Sequence, residues 1–244
     1  MTDESNQASL AAHTVTSYDD DLQYLVRRIA EMGGIAERML EEAVVSLVNA
    51  DAGLSQKVIS DDLLLDDAER QIGEKAILII AKRQPMAADL RDVIGAIRIA
   101  ADLERVGDMA KNIAKRVLAV QGMTQPKKLV RGIDHLAELA LTQLKEVLDA
   151  YSQRSAELAN SIRERDEEID AIYTSLFREL LTYMMEDPRN ITACTHLLFC
   201  AKNIERIGDH ATNIAESVYY IATGDQLTND RPKDDETATV GAED

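Results

Sequence analysis

The feature that most constrains this chain is that it is written twice. With the first half moved by 104 positions, Leu40 falls on Leu144, Val44 on Leu148, Leu54 on Leu158 and Val58 on Ile162. The same offset puts Asp62 on Asp166, Asp66 on Asp170 and Ile72 on Leu176. Further along, the offset becomes 101. Glu104-Arg105-Val106-Gly107-Asp108 then falls on Glu205-Arg206-Ile207-Gly208-Asp209, and Asn112-Ile113-Ala114 on Asn213-Ile214-Ala215. The change of offset calls for a shorter connection in the second half, near Pro188. A repeat of this length is the duplication of a whole structural unit, so any fold must be one that can be built in two like halves.

The unit is helical. Apolar residues recur at three- and four-residue steps, as in Leu90, Val93, Ile97 and Ala101, or Ile191, Cys194, Leu198 and Ala201. Punctuation is sparse, with 11 Gly and 4 Pro in 244 residues, and aromatics make up only 4%. Breaks occur at Asn49–Gly53, Arg83-Gln84-Pro85, Gln121–Pro126, Ser152–Ser155 and Glu186-Asp187-Pro188. They predict helices over about 18–49, 54–83, 87–121, 128–151, 156–186 and 189–223. Short connections make successive helices antiparallel. The expected fold is all-α, two tandem repeated antiparallel three-helix bundles covering 18–122 and 127–223. The polar stretch 1–17 and the acidic tail 225–244 are expected to be disordered.

Acidic residues stand where the apolar stripes should continue. Glu104 and Asp108 are one helical turn apart and prolong the Leu90–Ala101 stripe; Glu205 and Asp209 prolong the Ile191–Ala201 stripe. Carboxylates on a packing face must be paired, protonated or bound to a cation. Each half offers a second such pair, Asp62/Asp66 and Asp166/Asp170, on the preceding helix. A hairpin folded at Pro85, or at Pro188, brings the two pairs of each half to nearly the same height. Four carboxylates in one groove suit a hard cation such as Mg, Mn or Fe. Asn112 and Asn213, one turn on, could add a ligand or a supporting contact. The competing reading is an internal ion-pair network, with Arg91, Arg98, Arg105 and Arg206 as the counter-charges.

A formal charge of −17 opposes nucleic-acid backbones and anionic lipid, and favours cations and basic protein surfaces. Residues 1–17 carry Asp3 and Glu4 and no apolar run, so no export signal is expected and the cytoplasm is the expected compartment. Cys194 and Cys200, six apart, face different sides of a helix and are expected to be reduced core residues. Gly107 and Gly208, within helices, call for a close neighbour, a backbone or an ion; Met32-Gly33-Gly34 calls for a close helix crossing. His210 beside Asp209 is a possible ligand, though the first copy has Met109 there.

Leu103-Glu104-Arg105-Val106-Gly107-Asp108 and its echo Ile204-Glu205-Arg206-Ile207-Gly208-Asp209 closely resemble the paired motif of the PhoU family, the phosphate-specific transport system accessory proteins. So do Met32-Gly33-Gly34 and Ile80-Ala81-Lys82-Arg83-Gln84-Pro85, and the resemblance covers roughly residues 18–223. It implies two three-helix bundles that bind divalent or trivalent metal ions (Mg, Mn, Fe or Zn), often as clusters. The implied ligands are Glu104, Asp108, Glu205 and Asp209, with Asp62, Asp66, Asp166 and Asp170 opposite, and Asn112, Asn213, Arg105 and Arg206 in support. It further implies a negative regulator of phosphate uptake and of the phosphate-starvation response. Such a protein links the ATPase subunit of the phosphate ABC transporter to a phosphate-sensing histidine kinase, which it keeps dephosphorylating when phosphate is plentiful. Many members are homodimers, and contact with the membrane is expected only through these partners. Two other classes compete. A di-metal carboxylate enzyme of the ferritin kind would need Glu-x-x-His, which no histidine here completes. A metal-free helical scaffold would keep the carboxylates as ion pairs.

Overall fold

The computed structural model describes the backbone of residues 3–227 and the side chains of residues 18–227, that of Asp166 excepted. The first half consists of α1 (Asp3–Asn49), α2 (Ala52–Arg83) and α3 (Ala87–Ala119). The second consists of α4 (Lys127–Gln153), α5 (Ala156–Glu164), α6 (Asp166–Glu186) and, after a 3-10 turn at Pro188–Asn190, α7 (Ile191–Thr223). The expected helices are all present, and no strand occurs among the described residues.

The duplication extends to the corners. The Asp51 side chain accepts from the Leu54 amide at 3.0 Å to cap α2, and the Ser155 side chain accepts from the Leu158 amide at 3.2 Å to cap α5. These caps are equivalent positions of the repeat. At the far end of α2, Gln84 takes a left-handed conformation before Pro85 and ends the helix, so the chain reverses there into α3.

Two expectations are corrected. The stretch 3–17, expected to be disordered, continues α1 as helix; it contains neither glycine nor proline to stop one. The expected single helix over 156–186 is interrupted at Arg165. The Arg165 amide there bonds to the Ile162 carbonyl and the Glu168 amide to the Arg165 carbonyl, both at 3.2 Å, in tight three-residue steps. Arg163 is buried with Glu216 of α7 beside it, while Arg165 pairs with Glu146 of α4. Apolar periodicity hardly registers a break that shifts phase by so little. Most of the expected acidic tail, 228–244, lies outside the described residues.

The halves are not separate beads. Helix α3 packs on α1 and α2 and also along α7, while α1 touches α4 across the same boundary. The inner layer is therefore α1, α3, α4 and α7, with α2 on one flank and α5–α6 on the other. One continuous apolar core runs through both halves, from Leu25 and Ile29 to Val218 and Ile221. Two glycines permit the approach between halves. A methyl group on Gly33 would come within 2.5 Å of Leu148 Cδ1, and one on Gly95 would meet the Ile221 side chain. Gly107 and Gly208 do the same within each half, against Leu65 and Ile169, so the neighbour each accommodates is a side chain rather than a backbone or an ion.

Cys194 and Cys200 are free and buried, as the spacing predicted. Burial pushes the Cys200 thiol up to about 12. Neither cysteine should react with a water-soluble disulfide reagent at pH 8 until the protein is unfolded, and rapid labelling of the native protein would contradict this packing. Replacing the fully buried Leu103 by alanine should lower unfolding free energy by about 2–5 kcal/mol. The same change at Leu63, 69% exposed, should stay within about 0.5 kcal/mol, both read from urea denaturation.

Candidate functional site

Helices α2 and α3 meet along a groove in which carboxylates replace part of the apolar seam. Asp62 on α2 is 6% exposed and Asp108 on α3 is half-buried. Between them lies Lys111, whose Nζ donates to Asp62 Oδ2 at 2.5 Å and to Asp108 Oδ1 at 2.6 Å. Arg105 closes the rim, with Nη1 at 3.1 Å from Asp108 Oδ2 and Nε at 3.3 Å from Glu104 Oε2. Asp66 is exposed at the edge of the same groove. Burial raises the Glu104 carboxyl above its ordinary range, and Asp108, Glu69 and Asp66 add to the rise against the opposing charge of Arg105. Asp62, Asp66, Glu104 and Asp108 therefore border one groove, as the hairpin register predicted.

Lys111 was not among the sequence candidates, and helix geometry explains its place. Lys111 follows Glu104 by seven residues and Asp108 by three, so it lies within ~20° of Glu104 around the helix, while Asn112 is turned ~80° away. Asn112 is exposed to solvent. Burial by itself disfavours the Lys111 ammonium, yet its two carboxylate partners outweigh this and hold it charged well above the usual lysine range. Burial likewise works to raise Asp108, but Lys111 and then Arg105 bring it below the ordinary carboxylate range.

The second groove, between α6 and α7, is neutralised in another way. Glu205 is 4% exposed, and its Oε1 accepts from Lys202 Nζ at 2.8 Å. Its Oε2 is buried without a hydrogen-bond partner. Burial raises the Glu205 carboxyl; Asp209 and Asp170 add to this, while Lys202 opposes it. Asp170 is also buried, whereas the Asp166 side chain lies outside the described residues. Lys202 sits 4.9 Å from the centre of the Tyr173 ring. The position equivalent to Lys111 is Thr212, whose Oγ1 accepts from Gln143 Nε2 at 3.1 Å.

Three supporting expectations are corrected. Asn213 does not face the groove; its Nδ2 donates to Asp102 Oδ1 at 3.4 Å. His210 Nδ1 lies 2.8 Å from the same oxygen, so both residues tie α7 to α3. Of the four arginines expected as counter-charges, only Arg105 serves. Arg206 is exposed, Arg98 lies over the Tyr220 ring and Arg91 lies beside Gly224; none of these three forms an ion pair among the described residues. The lysines that do serve, Lys111 and Lys202, lie on the helix faces that carry the acids.

Among the described residues, no three histidine, cysteine, aspartate or glutamate side chains already converge on a point as metal ligands. The two grooves hold their described carboxylates differently. In the first, the place between the two helices' carboxylates is filled by the Lys111 ammonium. In the second, Glu205 Oε2 is held out of water without a hydrogen-bond partner, a position that a hard cation suits.

The chain matches the family model described as the PhoU domain twice, over residues 29–117 and 133–218. It is 73% identical to the phosphate-specific transport system accessory protein PhoU homolog of Rhizobium meliloti (strain 1021), over 95% of this chain and 98% of that protein. The homolog of the same description from Caulobacter vibrioides (strain NA1000 / CB15N) is 48% identical over 92% of this chain and 97% of its own length. Among solved structures, PhoU from Pseudomonas aeruginosa superposes with a TM-score of 0.82 at 36% identity, covering 85% of this chain and 100% of that one. The phosphate transport system regulatory protein PhoU from Streptococcus pneumoniae gives 0.80 at 27% identity, covering 87% and 100%.

Replacing Lys111 by methionine should destabilise the chelator-treated protein by roughly 3 kcal/mol, because Asp62 is left buried without its counter-charge. Adding Asp62→Asn and Asp108→Asn should restore much of that loss, and a double-mutant cycle with no coupling would contradict the bridge. The difference between wild type and Lys111→Met should be level from pH 6 to 9. Lys111 is raised, so its share is lost only as pH climbs beyond the lysine range; Asp108 is lowered, so its share is lost only as pH falls below about 4.

Proposed function

This chain belongs to the PhoU family, and on that premise we propose that it is a regulatory adaptor of phosphate uptake, an accessory of the phosphate transporter and not a catalyst. The observation that carries this reading is the pair of PhoU domains, which coincide with the two helical bundles. In this reading the protein restrains uptake and the phosphate-starvation response. It does so by joining the ATPase subunit of the transporter to a phosphate-sensing histidine kinase and keeping that kinase in its dephosphorylating state. It works in the cytoplasm, as a homodimer, and reaches the membrane only through its partners. A net charge of −17 supports docking to basic protein surfaces and disfavours nucleic acid. Among the described residues no helix is long and apolar enough to cross a membrane.

The proposal includes metal. Glu205 and Asp209 from α7 and Asp170 from α6 would hold a divalent or trivalent ion. When bound, such an ion supplies positive charge and a link between helices, with no chemistry performed on a substrate. The protein's own part is to hold Glu205 out of water, to place Asp170 across the seam from it, and to keep α6 and α7 in register through Gly208 and Ile169. The unpartnered Glu205 oxygen favours this reading over a metal-free scaffold.

The test is a pull-down of the tagged chain from cells grown in excess phosphate, joined to an uptake assay in cells lacking the gene. The transporter ATPase and the kinase should be retained, and loss of the gene should raise phosphate uptake severalfold under excess phosphate. Unchanged uptake together with retention of neither partner would overturn the assignment.

A further inference from the structure

With 44 acidic side chains against 27 basic ones, most of this molecule's surface repels a second copy of itself. The seam between α1 and α4 is an exception. We propose that a second copy of this chain docks there, antiparallel about a two-fold axis beside Val45. The proposal rests on the homodimer reading above and assigns that dimer its surface.

Two hollows lie along the seam. One, of about 480 Å³, is lined by Leu47, Val48, Met123, Val130, Lys127 and Arg131. The other, of about 190 Å³, is lined by Val44, Val45, Leu141, Glu41, Asp134 and Glu138. Falling numbers on α1 accompany rising numbers on α4, so the two helices are antiparallel and the hollows follow one another along them. Val45, Val48 and Met123 are 42%, 44% and 44% exposed, an apolar floor open to a partner.

The two hollows carry opposite charge, basic in the first and acidic in the second. Among the described residues, Lys127, Arg131, Glu41 and Asp134 form no ion pair, and Glu138 has only the exposed His135, at 3.5 Å. On α4 the charges stand at 127, 131, 134 and 138, steps of four, three and four that keep them on one helix face. Lys127 with Glu138, and Arg131 with Asp134, share one midpoint, between Gly132 and Ile133. A single two-fold axis at that level therefore sets Lys127 of each copy against Glu138 of the other, and Arg131 against Asp134. On α1 the same level falls at Val45, between Leu47, which shares a hollow with Val130, and Leu40, which shares one with Ala137. The axis thus also brings the exposed Val45 side chains of both copies together. In such a dimer the apolar floor supplies the attraction, while the ion pairs fix the orientation. Two bases against three acids leave the seam almost neutral, so two copies can approach here as they cannot elsewhere. A basic partner would be drawn to the acidic remainder of the surface and repelled by Lys127 and Arg131.

The test is sedimentation of the full chain over a range of concentrations. Wild type should dimerise. Val45→Glu, which sets like charges face to face on the axis, should weaken the dimer about tenfold or more. Lys127→Glu with Arg131→Glu should do the same, and so should Asp134→Lys with Glu138→Lys, because each gives the stripe one sign. Mixed in equal amounts, these two double variants should form a heterodimer, which misfolded chains would not do. Leu63→Glu, on α2 and outside the seam, should leave the dimer unchanged. On wild type alone, a carbodiimide should cross-link Lys127 to Glu138 between isotope-labelled and unlabelled copies. A wild-type dimer that gives no such link, or that is as tight after the seam substitutions, would overturn the proposal and leave the homodimer reading standing. So would double variants that are folded by circular dichroism yet stay apart on mixing. A wild type that is monomeric throughout would remove the homodimer reading and the proposal with it. A dimer that forms only once residues 228–244 are deleted would give the seam to that tail and overturn the proposal as well.

Discussion

Carboxylates withdrawn from water between packed helices need positive charge beside them, and much of this molecule is arranged around that need. Asp62 and Glu205 are among the few charged groups in an otherwise apolar interior, and each lies where an apolar residue would have continued the seam. Replacing such groups by hydrocarbon often stabilises a protein. The sequence repeats an acid at each of these positions in the other half, Asp166 for Asp62 and Glu104 for Glu205, which points to use rather than to packing. The first groove meets the need with Lys111, and the second meets it in part with Lys202.

The grooves can be held open in this way because the rest of the core is continuous. Helix α3 is packed on three sides, by α1, α2 and α7, and α7 by α3, α4 and the α5–α6 pair. Each acid-bearing helix is therefore braced from behind, and the side chains facing the groove are fixed by contacts they do not make themselves. Close approach at Gly33 and Gly95 joins the halves, and close approach at Gly107 and Gly208 fixes the depth of each groove. The molecule built this way has an inner layer of α1, α3, α4 and α7 and two flanks, α2 on one side and α5–α6 on the other.

Much of the fold is legible before any coordinates. The offsets of 104 and 101 announce the duplication, the breaks at Pro85 and Pro188 locate the hairpins, and the apolar period identifies the buried faces. The convergence of Asp62 with Asp108 follows from counting residues to the turn on either side. The break at Arg165 was not legible, because a single tight turn leaves the apolar stripe almost in phase. The helical character of 3–17 was missed for a related reason: helix propensity without an apolar stripe gives periodicity nothing to detect.

The counter-charges mark the boundary between what the sequence determined and what tertiary structure decided. Residue order alone settles which acids share a helix face, since that depends on a regular repeat of about 3.6 residues. It also settles that the two halves are copies. It does not settle which cation reaches those acids, because arginine and lysine side chains are long and flexible and their partners come from whichever helix packs opposite. Arg91, Arg98 and Arg206 are near the acids in sequence yet turn elsewhere, and Asn213 and His210 are drawn to Asp102 on α3. Whether a lysine fills the groove or leaves a carboxylate oxygen unpaired is decided by packing across the seam, a long-range property that no local spacing encodes.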